Sequence, residues 1–418
     1  MDILVRKYGG TSLADEARLR AAATSVAEAA RDRRTVVVVS ARGATTDELL
    51  ALAEDLGAGR GDSATAREVD QLLATGEQAS AALFAITLRG MGVPAVSLTG
   101  AQAGVRVTGP AGAGRIAAID PAPMLARLDE GNVVVAAGFQ GVDDAGDVIT
   151  LGRGGSDTTA VALAVALGAP QCEIYTDVDG VFTADPRVVP TAAALPEVGM
   201  DPMVELAFAG AKVLHSRSVE LASVHDVELA VRSALRSTPG TVVTPAGDEP
   251  PLESHAVLAI AHDVDVTRVL IRADGPAADS TDLAVAVLSV FARHHAAVDL
   301  VARSGTYETE FRMGFTARRN ELPPLLPELR ALVANAGGSV VLDEHVAKVS
   351  LLGTGLLNRP QFTAAMLAAL AGAGIATSWI STSQLRVSVV IAADRATDAV
   401  ALLHKEFGLD QVVQTGQL

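Results

Sequence analysis

The feature that most constrains the fold is an alternation that fills residues 1–245: short apolar runs rich in β-branched residues alternate with longer segments of helical periodicity. Strands are predicted at 3–5, 35–40, 95–98, 133–139, 173–176 and 228–231. Helices are predicted between them, at 15–31, 46–56, 69–89 and 158–167. Strands that are apolar on both faces and separated by helices indicate an α/β fold, with a mainly parallel sheet covered on both sides.

The pattern changes after a stretch rich in proline and glycine at 239–251, which is typical of a linker. Beyond it, a strand–helix–strand–strand pattern occurs twice. The first copy is predicted at 268–271, 282–294, 298–301 and 309–316, and the second at 347–352, 361–371, 378–381 and 386–391. A βαββ repeat of about 80 residues predicts two small α+β modules that pair side by side.

Charge and cysteine content exclude several classes of protein. The net charge of −16 disfavours nucleic acid and anionic membranes as main partners, because both attract basic surfaces. Cys172 is the only cysteine, so neither a disulfide framework nor a thiolate metal site is expected. The N-terminal residues lack the pattern of a signal peptide, and no run approaches the ~18 apolar residues of a membrane span. We therefore expect a cytoplasmic protein.

Two glycine-rich turns follow predicted strands, whereas the P-loop, dinucleotide-binding and His-Glu-x-x-His patterns are absent. The first turn is Lys7-Tyr8-Gly9-Gly10-Thr11-Ser12. Its glycines allow backbone N–H groups to approach a ligand closely, and Lys7 places an ammonium group at the C-terminal end of a strand, where open α/β sheets bind ligands. Lysine is rare in this chain, which has only Lys7, Lys212, Lys348 and Lys405. A lysine beside a glycine turn therefore indicates a need for a compact positive charge, or a chance survivor.

The second turn is Gly152-Arg153-Gly154-Gly155-Ser156-Asp157, which leads into a predicted helix. Three glycines, a guanidinium group and a helix N-terminus form a good anion site. Arg153 can bind a carboxylate through two hydrogen bonds. Asp157 has two possible roles: it caps the helix, or it orders Lys7 and Mg²⁺ around a transferring phosphoryl group.

Seven segments, in this order, resemble the motifs of the aspartate kinases, and the resemblance covers essentially the whole chain. They are 7–12 (KYGGTS), 40–47 (SARGATTD), 75–78 (TGEQ), 138–141 (GFQG), 151–159 (LGRGGSDTT), 173–187 (EIYTDVDGVFTADPR) and 210–215 (GAKVLH). The resemblance implies an amino-acid-kinase three-layer sandwich followed by two ferredoxin-like ACT modules. It places the catalytic domain at 1–245, a linker and joining strand at 246–262, the first ACT module at 263–342 and the second at 343–418.

The resemblance also implies the site residues, with ATP and Mg²⁺ as cofactors. Lys7 would neutralise the γ-phosphoryl group, Gly9 and Gly10 would donate N–H groups, and Asp157 would orient Lys7 and the substrate. Aspartate would be bound by Arg153 through its carboxylates and by Glu77 through its ammonium group, in a pocket shaped by Ser40, Thr46, Phe139 and Ser156. ATP would be held by Lys7, Gly10, Thr11, Ser12, Thr176, Asp177, Phe182, Asp185, Arg187 and Lys212. Such an arrangement suits phosphoryl transfer, which depends on alignment and charge neutralisation.

The chain departs from the family pattern at three positions: Arg42 replaces a usual Met close to the substrate loop, Ser216 a usual Pro after His215, and Phe182 a common Tyr near the nucleotide. None removes a charged catalytic group. Arg42 leaves a second hypothesis open, the same chemistry on a close aspartate analogue. A third hypothesis, a catalytically silent amino-acid sensor, predicts the loss of Lys7 or Asp157, and both are present.

The effector positions of the ACT modules are the most altered part of the chain. The family pattern implies a Pro-Gly turn that binds the effector's carboxylate and facing polar residues that bind its ammonium group. This chain instead has degenerate positions, at Asp279, Asp282, Arg303, Ser304, Arg312, Gln361, Ala376 and Gln384. We expect lysine and threonine feedback to be altered or lost, or the pocket to be retuned for a more acidic effector. A homodimer or larger homo-oligomer through ACT pairing is also expected.

Overall fold

The computed structural model describes residues 2–58, 63–211, 213–245, 257–274, 281–304 and 310–410. Within these ranges the chain forms two compact units. The first contains the described residues up to Phe182, Ala194–Phe208 and residues 213–245; the second contains Thr183–Ala193, Ala209–Ala211 and the described residues from 257 onward. No helix in the described ranges is long and apolar enough to cross a membrane.

The first unit is built from alternating strands and helices. In chain order these are β1 (Ile3–Tyr8), α1 (Glu16–Ala29), β2 (Arg34–Val39), α2 (Thr45–Asp55), α3 (Ser63–Gly90), β3 (Ala95–Leu98), β4 (Val105–Thr108), β5 (Arg115–Ile119), α4 (Ala122–Asp129), β6 (Val133–Ala137), β7 (Gln140–Val142), β8 (Val148–Thr150), α5 (Gly155–Leu167), β9 (Gln171–Thr176), β10 (Glu197–Gly199), α6 (Met200–Ala209), α7 (Ser216–Val224), β11 (Glu228–Ser233) and β12 (Thr241–Thr244).

The main sheet has eight strands in the order β10-β12-β11-β9-β1-β2-β6-β3. Its six strands from β11 to β3 are parallel, which confirms the mainly parallel sheet. The strand β12 runs antiparallel to β11 and lies within the stretch expected to be a linker. That expectation was wrong for Thr241–Thr244, because four β-branched residues in a row outweigh the flanking proline and glycine.

Alternation of side chains in β1 and β2 sends neighbouring residues to opposite faces of this sheet. Tyr8, Val37 and Val39 pack with residues of α1 and α3 in one hydrophobic core. Lys7 points to the other face, toward α5, where it reaches Asp157. A second, four-stranded sheet (β5-β4-β7-β8) was not predicted, because its strands are only three to five residues long.

The second unit contains two further sheets. Its elements are β13 (Val257–Asp263), β14 (Val266–Asp274), α8 (Thr281–Arg293), β15 (Val298–Ser304), β16 (Glu310–Arg318), α9 (Leu322–Asn335), β17 (Gly338–Asp343), β18 (Val346–Gly353), α10 (Pro360–Gly372), β19 (Trp379–Thr382), β20 (Arg386–Ala392) and α11 (Ala396–Glu406). The antiparallel orders are β15-β16-β14-β17 and β13-β18-β20-β19. The sheet β15-β16-β14-β17 packs against α8 and α9, and the sheet β13-β18-β20-β19 packs against α10 and α11.

Both predicted βαββ copies are therefore present, and each is longer than predicted. The first gains α9 and β17, which completes a ferredoxin-like βαββαβ module. The second gains α11 and takes its fourth strand, β13, from the segment before the first module. The helix α9 went unpredicted because it carries three prolines; two lie in its first turn, where the missing N–H is tolerated, and Pro327 lies inside.

Candidate active site

Lys7 and Asp157 form an ion pair at the C-terminal end of β1. The Lys7 Nζ lies 2.6 Å from the Asp157 Oδ1, and each side chain is only 12% exposed. Asp157 lies in the first turn of α5, whose N-cap is Gly154 in a left-handed conformation (φ 70°). The helix thus begins three residues earlier than predicted, and the helix-cap interpretation of Asp157 was wrong. The carboxylate is directed at the lysine instead.

The turn after β1 is closed by backbone hydrogen bonds and by close contact with the end of β2. The Gly9 N–H donates to the Tyr175 carbonyl (3.3 Å), and the Ser12 N–H donates to the Gly9 carbonyl (3.0 Å). A Cβ at Gly10 would lie 2.5 Å from the Ala41 carbonyl oxygen, so this position requires glycine. A Cβ at Gly9 would lie 3.4 Å from the Lys7 Nζ. The turn therefore keeps the backbone next to the ammonium group free of side chains.

The second glycine turn (residues 151–155, the glycine loop) is equally tight. A Cβ at Gly154 would overlap the ring of His215, with atoms as close as 2.1 Å. Phe139 adopts a left-handed conformation (φ 70°), and its N–H donates to the Thr159 Oγ1 (3.1 Å). A Cβ at Gly138 would lie 2.9 Å from Ser156, so these two segments touch. The Arg153 side chain is exposed and has no partner among the described residues.

Glu77 is a buried carboxylate on α3, only 3% exposed. Its Oε1 accepts a hydrogen bond from the Ala41 N–H (2.9 Å), whereas its Oε2 has no partner within the described part of the chain. Burial raises the pKa of Glu77 to about 7, and the Ala41 hydrogen bond opposes this shift. A buried oxygen without a donor is unfavourable, so the position suits a carboxylate that awaits a cationic ligand.

Ser40 and Thr46 lie at either end of the segment that joins β2 to α2. The Ser40 N–H donates to the Tyr8 carbonyl (3.1 Å), which holds this segment against the end of β1. Thr46 is in the first turn of α2. Arg42, between them, donates to the carbonyls of Leu13 (2.8 Å) and Ala14 (3.2 Å). The first unit thus gathers Lys7, both glycine turns, Ser40 and Asp157 around the C-terminal ends of β1 and β2.

The predicted nucleotide residues are more scattered. Thr176 ends β9, and its hydroxyl donates to the Asp177 carboxylate (3.1 Å). Phe182 forms an isolated bridge with Ala194. Asp185 and Arg187 belong to the second unit, where they bind each other (2.8 Å), and hydrogen bonds from Arg187 hold the pKa of Asp185 below its usual value although burial raises it. Lys212 lies outside the described residues.

Two residues near the glycine loop were not predicted, Asp70 and Arg217. Both bind backbone groups at the start of this loop. The one available signal was spacing: Asp70 precedes Glu77 by seven residues, which places both on one face of α3.

No group of three or more His, Cys, Asp or Glu residues in the described ranges is placed to hold a metal ion.

Most of the degenerate effector positions lie at exposed sites of the second unit. The Arg312 Nη1 donates to the Asp274 carboxylate (2.7 Å), and the Arg303 guanidinium lies over the Phe311 ring (5.4 Å). Asp282 and Gln361 occupy the first turns of α8 and α10, where a carboxylate ligand would need free N–H groups. Asp279 lies outside the described residues; Ser304, Ala376 and Gln384 are exposed.

Comparisons with known proteins agree with this architecture. The model of the amino acid kinase family matches residues 2–233, and an ACT domain model matches residues 349–407. An aspartokinase of Mycolicibacterium smegmatis is 43% identical over 98% of this chain and 97% of its own length. Aspartokinase III of E. coli, solved with aspartate and ADP in the R-state, has a TM-score of 0.80 and 28% identity, and the match covers 97% of this chain and 99% of that one. The same enzyme in complex with lysine and aspartate (T-state) has a TM-score of 0.70 and 27% identity over 98% of this chain and all of that one. This chain therefore belongs to the amino acid kinase family and, within it, to the aspartokinases.

Proposed function

We propose that this enzyme transfers the γ-phosphoryl group of ATP to the side-chain carboxylate of L-aspartate, forming 4-phospho-L-aspartate, and that lysine and threonine inhibit it weakly or not at all. The observation that carries the reaction is the Lys7–Asp157 pair between two glycine turns. The E. coli relative that binds aspartate and ADP supports both substrates. The product would feed lysine, threonine and methionine biosynthesis.

The chemistry requires charge neutralisation and alignment. An aspartate side-chain oxygen attacks the γ-phosphorus, the bond from that phosphorus to the bridging oxygen breaks, and ADP leaves with the bond's electrons. Because the aspartate carboxylate is ionised at pH 7, no general base is needed. Lys7 neutralises the transferred group, and the backbone N–H of Gly10 approaches its oxygens, whereas the Gly9 N–H already donates to the Tyr175 carbonyl (3.3 Å).

Substrate binding is assigned to the residues around this pair. Arg153 binds the aspartate carboxylates, which suits an exposed guanidinium group that has no partner in the described ranges. Glu77 binds the α-ammonium group through its Oε2, which has no hydrogen-bond partner in the part of the chain that the structure describes. Phe139, held in a left-handed conformation, shapes the pocket with Ser40, Thr46 and Ser156.

ATP is assigned to Lys7, Gly10, Thr11 and Ser12, together with Thr176, Asp177, Phe182 and Lys212. Mg²⁺ usually binds through one or two carboxylates and the substrate phosphates, so a metal-binding cluster of protein side chains is not required. Asp157, the carboxylate beside Lys7, is the protein ligand that would bind Mg²⁺ at this site. When bound, the ion would neutralise phosphate charge.

The position of Arg42 favours aspartate over an analogue as the acceptor. Its guanidinium group is engaged by the carbonyls of Leu13 and Ala14, so it is not available to bind an extra group on a substrate. The silent-sensor hypothesis is disfavoured because Lys7 and Asp157 are both present and paired.

Altered feedback rests on charge. An effector amino acid needs N–H groups or cations for its carboxylate and acceptors for its ammonium group, whereas Asp282 and Arg312 supply the opposite charges. Two such reversals, at about 1.4 kcal/mol per tenfold of affinity, are enough to abolish micromolar binding. A retuned pocket for a more acidic effector is the remaining alternative.

We also assign 1–245 to the catalytic domain, 246–262 to the joining segment, and 263–342 and 343–418 to the ACT modules. Homo-oligomers through these modules are supported by the edge position of β15, on which Val301 is exposed.

Hydroxylamine trapping tests the reaction, because it converts acyl phosphates to coloured hydroxamates. The wild-type enzyme, ATP and Mg²⁺ should yield hydroxamate with L-aspartate and far less with L-glutamate, D-aspartate or substituted aspartates. A substituted aspartate that reacts best would support the analogue hypothesis. Absence of product with every acceptor would contradict the proposed function.

A further inference from the structure

The turn between β4 and β5 (residues 109–114, the hairpin turn) packs against the start of the glycine loop. The Gly114 N–H donates to the Thr150 carbonyl (2.8 Å). A Cβ at Gly152 would lie 2.9 Å from the Gly112 carbonyl oxygen, and one at Gly114 would lie 3.0 Å from the Thr150 carbonyl oxygen. The two backbones therefore touch at positions where only glycine fits.

Asp70, on α3, binds with one carboxylate both the hairpin turn and Thr150, the last residue of β8, which directly precedes the glycine loop. Its Oδ2 accepts hydrogen bonds from the N–H groups of Gly112 (2.9 Å) and Thr150 (2.7 Å), and its Oδ1 accepts from the Thr150 hydroxyl (2.7 Å). Asp70 is only 1% exposed. A carboxylate is buried at this depth only where donors compensate its charge, and here one donor comes from the hairpin turn and two come from Thr150 at the entry to the glycine loop.

Arg217, in the first turn of α7, binds the same two segments through their carbonyl groups. Its Nη1 donates to the Leu151 carbonyl (2.9 Å) and its Nη2 to the Gly114 carbonyl (2.8 Å). The residue before α7, His215, has its ring against Gly154 of the glycine loop. A carboxylate thus holds the N–H groups of the two turns, and a guanidinium group holds their carbonyls.

We propose that Asp70 and Arg217 are positioning residues for aspartate, which fix the start of the glycine loop so that Arg153 and Asp157 are held in register with Lys7. The inference rests on the proposed role of Arg153 in binding aspartate. Neither residue needs to touch the substrate. Because Asp70 and Glu77 share one face of α3, a single helix positions both the carboxylate-binding and the ammonium-binding side of the pocket.

Asp70→Asn removes the charge and one acceptor oxygen, and Arg217→Met removes both donors to the Leu151 and Gly114 carbonyls. Each should raise the KM for aspartate ~10-fold or more, since sub-ångström displacement of a binding group weakens productive alignment. The KM for ATP should stay within about twofold. The double variant should raise the aspartate KM by less than the product of the single effects, because both residues hold the same pair of turns.

Three further variants separate positioning from general stability. Arg89→Met removes another guanidinium-to-carbonyl bond (to Ala95, 2.9 Å) at the far end of α3, and it should leave the aspartate KM unchanged. Thr150→Val deletes only the hydroxyl bond to Asp70 and should give a smaller rise, whereas Thr150→Ser should restore the wild-type value. If Asp70→Asn does not fold, the aspartate KM values of Thr150→Val and Thr150→Ser still test the positioning role of Asp70.

The wild-type enzyme is measured first with aspartate, which tests the proposed function by itself. If it turns over aspartate and the folded variants keep its aspartate KM within twofold, the positioning role is wrong and the proposed function stands. A parallel rise in both KM values, or an equal rise in Arg89→Met, would also overturn the inference. If the wild type forms no product from aspartate, the proposed function fails independently.

Discussion

The two units each contain a buried ion pair between a lysine and an aspartate, and the two pairs are built differently. In the first unit Lys7 meets Asp157 one to one, with 12% of each side chain exposed. In the second unit Lys348 is 3% exposed and donates to Asp299 (2.8 Å), whose two oxygens also accept from Arg386 (3.1 and 2.9 Å). Two of the four lysines in the chain are thus buried against aspartates.

The difference lies in how far each cluster is satisfied. Asp299 is saturated by two cations: burial would raise its pKa, but Lys348 and Arg386 together bring it below its usual value. Burial lowers the pKa of Lys348, and Asp299 opposes that shift. Among the described residues Lys7 has Asp157 as its only ion-pair partner, and its Nζ lies beside the backbone of Gly9. The Asp299 carboxylate has both oxygens bound by cations of the protein, whereas the Lys7 ammonium group pairs with one carboxylate oxygen and has further N–H donors that can bind a ligand.

The largest effect is expected at Lys7. Lys7→Ala should lower kcat by ~10² or more with a modest change in KM, because its charge matters most when the phosphoryl group is in transfer. Steady-state rates at saturating ATP and aspartate measure this. A kcat within a few-fold of wild type would mean that the unsaturated lysine is not catalytic.

Arg153 tests the same comparison from the substrate side, since it is an exposed cation at the site that has no partner among the described residues. Arg153→Ala should weaken aspartate by about 2 kcal/mol or more, or ~30-fold in KM, as expected for a charge pair that becomes buried on binding. ATP affinity, measured by calorimetry, should be largely retained. A collapse of ATP affinity alongside would assign Arg153 to the nucleotide instead.

Glu77 should show that an unsatisfied group lowers stability. Between its usual pKa of 4.5 and about 7, the folded state holds a proton that the unfolded state releases, so the free energy of unfolding falls as pH rises through this window. Glu77→Gln should therefore match wild type near pH 4.5 and exceed it at pH 8 by up to about 3 kcal/mol, while its aspartate KM rises ~10-fold. Urea unfolding without ligands measures the difference. A stability gap that does not change with pH would contradict this account.

The smallest effect is expected in the second unit. Lysine, threonine or both at millimolar concentration should change the initial rate by less than about twofold, because the reversed charges at the effector positions oppose their binding. Strong inhibition by any of these would show that the ACT modules still sense the usual end products. Inhibition by an acidic amino acid alone would support the retuned pocket.

Sequence patterns predicted the elements that are buried on both faces and long enough to show a period. The strand at Ala95–Leu98 was predicted to the residue, and β1 and β2 within three residues. The short strands of the second sheet, such as Arg115–Ile119, are half exposed and carry no clear period. Local composition predicted a cap at Asp157, whereas a left-handed Gly154 moved the helix start.

The candidate site divides in the same way. The roles assigned to Lys7, Arg153 and Asp157 came from motifs that also resemble a known family. Asp70 and Arg217 had no such signal, because their partners are backbone groups brought to them by the tertiary fold, 80 and 66 residues away in sequence. A hydrogen bond from a side chain to a distant main-chain group leaves no pattern in one sequence.

The most direct test of the comparison makes the same substitution in both pairs. Asp157→Asn should lower kcat at least ~10-fold by disturbing the charge around the transferring group, with a smaller loss of urea stability than Asp299→Asn, because one cation rather than two loses its partner. Asp299→Asn should cost about 3–5 kcal/mol of stability, because two buried cations lose their partner, and should keep kcat near wild type in the fraction that is folded. Equal losses of kcat in both variants, or a destabilised but fully active Asp157→Asn, would contradict the assignment of one pair to catalysis and the other to structure.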